Sequence, residues 1–393
     1  MNIRFTLHTI LSFCITFLLL SCSSNEEPKP EKKPTKRTIL VYMVANNNLA
    51  SYAEQDLNEM RIGAKTYGFN DGRLIVYHAS STAATLKEVN ADAEGTITTL
   101  KSYENEKTYS TEAERMKQVI DDVMKLAPAQ DYGLILWSHA DAWRETANSK
   151  ALPINNMNIA APLSFGYDRS KSMKISTLAN VLNNYNFSFI YFDCCHMASV
   201  EVAYELRNAT DYIVASGTVL HASGMPYNVN VKPLFEDVPD LEEACNNTFN
   251  YYNSQIGISR TCSMSLIDTR HINELAQVSK EIFKAGIFPE GLNIQSYIYI
   301  RLQAGFKYSF LNDMQQYMHA ISPSEALSQQ WDLALSQVVK FSACTPSVFN
   351  QLAINHYCGI GCYIVNDLSD ALVDGYNQQS WWKDVACHHF DNN

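Results

Sequence analysis

Two short polar groups in the sequence combine residue types that can carry out acyl transfer. Asp193-Cys194-Cys195-His196 directly follows the apolar run 187–192, and Ser138-His139 directly follows the apolar run 132–137. A cysteine thiolate is a good nucleophile, and its pKa is often lowered near a helix N-terminus. An imidazole close to it can hold the thiolate and later protonate a leaving amine. The two groups therefore predict a cysteine–histidine pair suited to thioester chemistry.

The elements that must bring these groups together alternate between strands and helices. Strands are predicted at 38–45, 73–77, 132–137, 187–192 and 212–215, and helices at 49–60, 112–126, 178–182 and 198–207. This alternation predicts an α/β fold whose mostly parallel sheet is flanked by helices on both faces. The carboxyl ends of parallel strands meet at one edge of the sheet. If the strands before His139 and Cys195 are neighbours, the two side chains are expected to lie close together.

The second half of the chain carries weaker signals. Helices are predicted at 241–252, 271–285 and 324–339, strands at 263–266 and 362–365, and a helical segment at 293–310. We interpret this half as a largely helical C-terminal subdomain that packs on the sheet. The domains are therefore predicted as an α/β core at 38–230 and a C-terminal subdomain at 231–393.

The N-terminus has the pattern of an exported protein. Residues 1–21 combine Arg4 with a short apolar run, which predicts a signal peptide rather than a membrane span. Leu19-Leu20-Ser21-Cys22 resembles the lipobox of bacterial lipoproteins, which implies cleavage before Cys22 and acylation of that residue. The tail that follows, up to residue 37, is charged and rich in proline, and we expect a disordered linker. The predicted location is the cell envelope, where the lipid anchor alone holds the protein in the outer membrane, facing either the periplasm or the cell surface.

Composition excludes several classes of function. The net charge of −11 and the absence of a basic cluster argue against nucleic-acid binding. The cysteine spacings contain no facing pairs of the zinc-site type, so no metal site is predicted. The expected partner is a protein or peptide substrate, and the expected state is a monomer.

Several blocks of the chain are similar to the clostripain family of cysteine peptidases, which share the caspase-like fold. The family's strand–DxCLM–helix signature resembles 192–197, and its LILW-x-HGxGW stretch resembles 134–143. Further similar blocks are Tyr42-Met43 with Asn47-Asn48-Leu49, Phe165-Gly166-Tyr167-Asp168, Gly224-Met225-Pro226-Tyr227 and Trp381-Trp382. The resemblance extends from about residue 38 to about residue 385.

The resemblance implies roles for particular residues. Aligning Asp193 and Met197 with the signature makes Cys195 the nucleophile and His139 the acid and base. Backbone N–H groups of Ala140 and Cys195 are the candidates for the oxyanion hole. Active members of the family cut after Arg or Lys, and Asp193 is the candidate base of the substrate pocket because it faces the same side of the strand as Cys195. Helix capping is the alternative role for Asp193.

The resemblance also implies self-cleavage between the His and Cys blocks. The polar segment 144–174 offers Lys150 and Arg144 as cleavage sites in a setting that resembles an exposed loop. Some relatives use calcium, but this sequence contains no calcium-binding loop of the EF-hand type. The sequence therefore leaves open whether the protein requires calcium.

The chain departs from the family pattern at several positions. Ala140 and Ala142 replace two glycines beside the histidine, and His196 replaces a leucine. Glycine is used where φ is positive or where the backbone must approach closely. The two alanines are therefore expected to affect the geometry of the oxyanion hole and could reduce or abolish activity. One alternative is a catalytically silent relative that binds a protein or peptide. A remoter alternative is a redox protein that uses Cys194 and Cys195, although we expect Cys194 to be buried and His196 to pair with a carboxylate.

Overall fold

The computed structural model describes residues 34–144, 164–285, 287, 294, 299–301, 307–309, 311–365 and 375–390, and residues 34–393 form one compact unit. The strands are β1 Thr35–Val44, β2 Gly72–Ala79, β3 Ala84–Val89, β4 Ile97–Tyr103, β5 Ala129–Trp137, β6 Ala140–Asp141, β7 Ser164–Asp168, β8 Lys171–Met173, β9 Phe187–Asp193, β10 Thr210–Ala215, β11 Ser263–Asp268, β12 Tyr299–Arg301, β13 Lys307–Ser309, β14 Asn312–Asp313, β15 Val339–Cys344, β16 Ser347–Val348, β17 Leu352–Ala353 and β18 Gly361–Cys362. The helices are α1 Ala50–Tyr67, α2 Ala113–Leu126, α3 Ile175–Leu182, α4 Val200–Glu205, α5 Tyr227–Leu234, α6 Leu241–Asn253, α7 Ile272–Lys284, α8 Met314–Ile321, α9 Glu325–Val338 and α10 Ser380–Asp384.

A nine-stranded sheet in the order β15-β11-β10-β9-β5-β1-β2-β3-β4 organises the fold. The five central strands β10, β9, β5, β1 and β2 run parallel, and two antiparallel strands extend the sheet at each edge. The predicted α/β fold with a mostly parallel, helix-flanked sheet is confirmed.

The central strands are buried on both faces. In β1, Ile39, Val41 and Met43 belong to one hydrophobic core, and Leu40 and Tyr42 belong to the other. Helices α1, α5 and α6 cover the first core, and α2, α3, α4 and α7–α10 cover the second. Because a strand between two cores needs apolar residues at every position, it reads in the sequence as an unbroken apolar run. This is why the central strands were predictable.

The edge strands differ from the prediction. Hairpin β3–β4 was not predicted, because β4 is polar and mostly exposed. Strand β15 was not predicted: a helix was expected at 324–339, but α9 stops at Val338 and the chain enters β15 at once. No glycine or proline marks that change, so the apolar pattern alone did not reveal it.

Three further segments correct the prediction. The described parts of 293–310 form an antiparallel pair, β12 and β13, instead of a helix; alternating Tyr and Ile favour strands there. The strand predicted at 362–365 is the short β18, which pairs with β14 outside the main sheet. Within the polar segment 144–174, β7 and β8 form a small sheet with β6, so only part of that segment can be a loop. In the described part of the chain, no helix is both long and apolar enough to cross a membrane.

Candidate active site

The two reactive side chains follow neighbouring strands. Strands β5 and β9 pair in parallel, and their last register pair is Trp137 with Asp193. His139 and Cys195 each lie two residues beyond that pair. The strands end at the same edge of the sheet, as the sequence predicted for neighbours, so His139 and Cys195 both lie at that edge.

The His139 ring is held by the loop that follows β1. Its Nε2 lies 2.7 Å from Oδ1 of Asn48. The neighbouring Asn47 fixes this loop, because its side-chain amide donates to the carbonyls of Val44 and Tyr167. Burial lowers the pKa of the His139 imidazole to about 4. The resting ring is therefore neutral, and a proton on Nε2 leaves Nδ1 free to accept one.

The Cys195 thiol is half-buried and contacts the backbone of Leu220. Its Sγ lies 3.6 Å from the Leu220 carbonyl oxygen and accepts from the Leu220 N–H at 3.4 Å. Burial raises the pKa of Cys195 to about 12, the Leu220 N–H opposes that rise, and the negative charges of Asp141 and Asp193 add to it. Among the described residues, no hydrogen bond joins this thiol to His139, and the backbone N–H of Cys195 donates to no group.

Cys194 lies on the other side of the strand end. It is buried, belongs to the second hydrophobic core and directs its Sγ to the Leu136 carbonyl at 2.9 Å. Cys195 packs against the first core. The predicted burial of Cys194 is confirmed, and the opposite orientations disfavour a redox pair.

Asp193 is buried on the same face as Cys195. Its Oδ1 accepts from the Met225 N–H at 3.0 Å, and its Oδ2 accepts from the Tyr227 hydroxyl at 2.9 Å. Burial raises its pKa to about 6, although these two hydrogen bonds act in the opposite direction. Neither bond caps α4; the residue that caps that helix is Ser199. The capping alternative for Asp193 is therefore wrong.

Comparison with known families and structures agrees with this geometry. The family model described as "Clostripain family", Peptidase C11, matches residues 41–350. The chain belongs to the clostripain family of cysteine peptidases. None of the curated proteins compared with the chain matches it.

Solved structures of this peptidase family share the fold of the chain. An inactive zymogen C11 protease from Parabacteroides distasonis is 28% identical, with a TM-score of 0.76 over 89% of this chain and 98% of that one. A secreted C11 cysteine protease from Bacteroides thetaiotaomicron, iotapain, is 25% identical, with a TM-score of 0.77 over 90% of this chain and 99% of that one.

An ion-paired cluster links the two sides of the clostripain-type site. Nδ1 of His196 lies 3.0 Å from Oδ1 of Asp141, and the Arg144 guanidinium donates to Oδ2 of Asp141 at 2.6 Å. Burial alone would raise the pKa of Asp141, but the His196 hydrogen bond and the Arg144 charge bring it below its ordinary value. The expected carboxylate partner of His196 is thus confirmed. This pair ties the segment after His139 to the segment after Cys195.

The two glycine replacements have different conformations. Ala140 lies in the short strand β6 and its φ is not positive, so an alanine fits there without strain. Ala142 has a φ of 50°, a conformation that residues with a Cβ rarely adopt and that glycine adopts readily. The positive φ anticipated for the family's glycines therefore falls on Ala142 rather than on Ala140.

Two residues at the site were missed in the sequence. Asn48 was noted only as part of a similar block, and nothing in its spacing indicated a contact with His139. Asp56 in α1 is buried and accepts from the Trp137 indole N–H at 2.7 Å. A signal for Asp56 was present, because a carboxylate stands three residues after Ala53 on the apolar stripe of the helix.

Some predicted positions lie outside the described residues, namely Lys150, Cys22, the signal peptide and most of the linker. Arg144 is described: its side chain is ion-paired, and its carbonyl accepts from the Ser164 hydroxyl at 2.7 Å. Within the described ranges, no group of three or more His, Cys, Asp or Glu side chains could hold a metal ion.

Proposed function

We propose that this clostripain-family peptidase is an endopeptidase that cleaves after Arg or Lys, with Cys195 as nucleophile and His139 as general acid and base. The observation that carries the proposal is the placement of both residues two positions beyond the Trp137–Asp193 register pair. A buried carboxylate, Asp193, lies on the nucleophile's side of the sheet. The nucleophile, the proton carrier and a charge complementary to a basic side chain thus occur together.

The proposed chemistry needs one proton carrier. His139 takes the thiol proton as Sγ of Cys195 attacks the scissile carbonyl carbon, and a tetrahedral oxyanion forms. The unpaired N–H of Cys195, with that of Ala140, donates to this oxyanion. Collapse breaks the C–N bond, and His139 gives its proton to the leaving amine. A water molecule, deprotonated by His139, then hydrolyses the thioester and restores the thiol.

Selection of Arg or Lys would rest on Asp193. A carboxylate buried to 4% exposure gains most from a cationic partner, because water cannot screen the interaction. Its two hydrogen-bond donors, Met225 and Tyr227, fix its orientation without bringing a positive charge. The pocket base is therefore charged and preorganised for a cation.

We further propose that the intact chain is latent and is activated by self-cleavage between the two blocks. Support comes from the neutral thiol and the neutral imidazole, which share no hydrogen bond in the described structure. Cleavage after Lys150 is favoured over cleavage after Arg144, because the Arg144 side chain and carbonyl are both engaged. A lipid anchor on Cys22 would hold the enzyme in the cell envelope.

The test is hydrolysis of matched fluorogenic peptides that end in Arg, Lys, Asn or Asp, with and without calcium. We expect turnover of the Arg or Lys peptide that vanishes in Cys195→Ala and persists in Cys194→Ala, which serves as the matched control. Turnover of only the Asn or Asp peptide would refute the role of Asp193. No turnover at all, with N-terminal sequencing showing one intact chain, would favour the silent peptide-binding relative.

A further inference from the structure

Helix α1 brings a second buried carboxylate to the pocket residue. Asp56 is 1% exposed and Asp193 is 4% exposed. Gly224 lies between them: a Cβ on this glycine would stand 2.8 Å from Oδ2 of Asp193 and 3.1 Å from Oδ2 of Asp56. The two carboxyl groups therefore approach the same point beside Gly224, where even a methyl group would be too close to their oxygens.

This carboxylate pair has no cation of its own. Among the described residues, no Lys, Arg or His forms an ion pair with Asp56 or Asp193. The Oδ1 atom of Asp56 is buried and has no hydrogen-bond partner in the described part of the chain. A buried acceptor without a donor, beside a second carboxylate, is energetically costly unless a proton or a positively charged group neutralises it.

We propose that Asp56 and Asp193 together form a two-carboxylate base that binds the cationic side chain of the substrate. The proposal rests on the proposed function, and it makes Asp56 a specificity-determining residue. An ammonium has three donors and a guanidinium has five. Asp193 already accepts from Met225 and Tyr227, so the Asp56 carboxyl, whose Oδ2 lies on the Gly224 side, supplies a further acceptor for the innermost donor.

The pair also couples substrate binding to the release of a proton. Burial raises the pKa of Asp56 to about 9, with the charge of Asp193 adding to it, and burial raises the pKa of Asp193 to about 6. Without substrate, the pair thus holds about one proton at pH 7. A bound cation favours the doubly ionised pair, and this proton passes to solvent.

Other titratable groups lie around the pair. They are Glu59 of α1, Tyr191 of β9, Tyr227 of α5, Tyr252 and His221 on the side of α6, and the thiols Cys194 and Cys195. Burial raises the pKa of each tyrosine well above 10, so the tyrosines stay neutral. Burial also raises the pKa of the Glu59 carboxyl, which the Tyr227 and Asn228 N–H groups oppose.

The experiment compares two peptides that differ only in the residue before the cut, lysine or norleucine. Their ratio of kcat/KM isolates recognition of the charge, because titration of Cys195 and His139 affects both peptides alike. The variant is Asp56→Asn, which keeps an oxygen for the Trp137 indole. The matched control is Glu54→Gln, which removes a carboxylate from an exposed position of the same helix.

We expect Asp56→Asn to lower the lysine-to-norleucine ratio about tenfold at pH 8, through KM, and to lower it less at pH 6. The control should stay within about twofold of wild type. Folding is checked by thermal unfolding. Because the folded-state pKa of Asp56 is raised, wild type loses stability as pH rises from about 4 to about 9, and Asp56→Asn should be at least as stable in that range.

The outcomes separate the two proposals. If wild type hydrolyses neither peptide, or both equally, then the proposed function fails and this inference fails with it. If wild type prefers lysine while Asp56→Asn keeps the same ratio at both pH values, only the inference about Asp56 is refuted. A purely structural role for Asp56 predicts that second result, because the asparagine retains the bond to Trp137.

Discussion

The reactivity of Cys195 toward an alkylating agent tests the electrostatics of the site in the intact chain. The perturbation is pH, varied from 5 to 10. With the thiol pKa raised to about 12 and the His139 pKa lowered to about 4, the resting pair is neutral across this range. In a thiolate–imidazolium pair, by contrast, the thiol pKa lies below the imidazole pKa, and both groups are charged at pH values between them.

The expected magnitude follows from the thiolate fraction. At pH 7 an ordinary cysteine, with a pKa near 8.5, is about 3% thiolate, whereas a pKa of about 12 gives a fraction near 10⁻⁵. The thiolate fraction is thus lower by about 3.5 orders of magnitude. The more basic thiolate is intrinsically more nucleophilic, with a Brønsted slope of about 0.45, and this recovers roughly 1.5 orders of magnitude in rate. Cys195 in the intact chain should therefore react about 100-fold more slowly than a free cysteine.

The assay is timed iodoacetamide labelling, with the Cys195 peptide quantified by mass spectrometry. We expect the rate constant to rise about tenfold per pH unit up to pH 10, because only the thiolate fraction changes. Cys195→Ala identifies the peptide signal, and a short cysteine peptide in the same tube supplies the reference rate. A fast rate with a plateau between pH 5 and pH 8 would refute the neutral pair and with it the proposed latency of the intact chain.

The remaining predictions concern the scaffold of the site. Asn48→Ala should lower kcat about 10- to 100-fold with little change in KM, since the His139 ring loses its anchor; Asn48→Asp should restore part of kcat and shift the acid limb of the pH–rate profile upward, which a purely structural role would not do. Ala142→Gly should change the free energy of unfolding by less than about 1 kcal/mol, because relief of the positive φ offsets the lost methyl group. Ala140→Gly should lower the free energy of unfolding by about 1–2 kcal/mol, because no such relief offsets the loss. Urea unfolding measures both values, and equal losses would contradict this reasoning. Cleavage after Lys150 should leave the two fragments associated, because β5 and β9 pair across the cut; separation on native size exclusion would contradict it.

The sequence predicted the parts of the molecule that a local pattern encodes. The buried central strands read as apolar runs, and the polar groups at 138–139 and 193–196 mark their carboxyl ends. The parts that depend on packing between distant segments were not predictable. The contact between Asn48 and His139, and the approach of Asp56 to Asp193, join residues that no periodicity relates.

A single register pair and a single helix account for most of the site. Because Trp137 pairs with Asp193, His139 and Cys195, each two residues further along its chain segment, lie at the same edge of the sheet. Helix α1 and the loop before it then approach this edge twice: Asn48 holds the imidazole, and Asp56 accepts from Trp137 beside the pocket carboxylate. In the proposed mechanism, catalysis and selectivity therefore share one support, and a displacement of α1 would alter the orientation of His139 and the charge around Asp193 together.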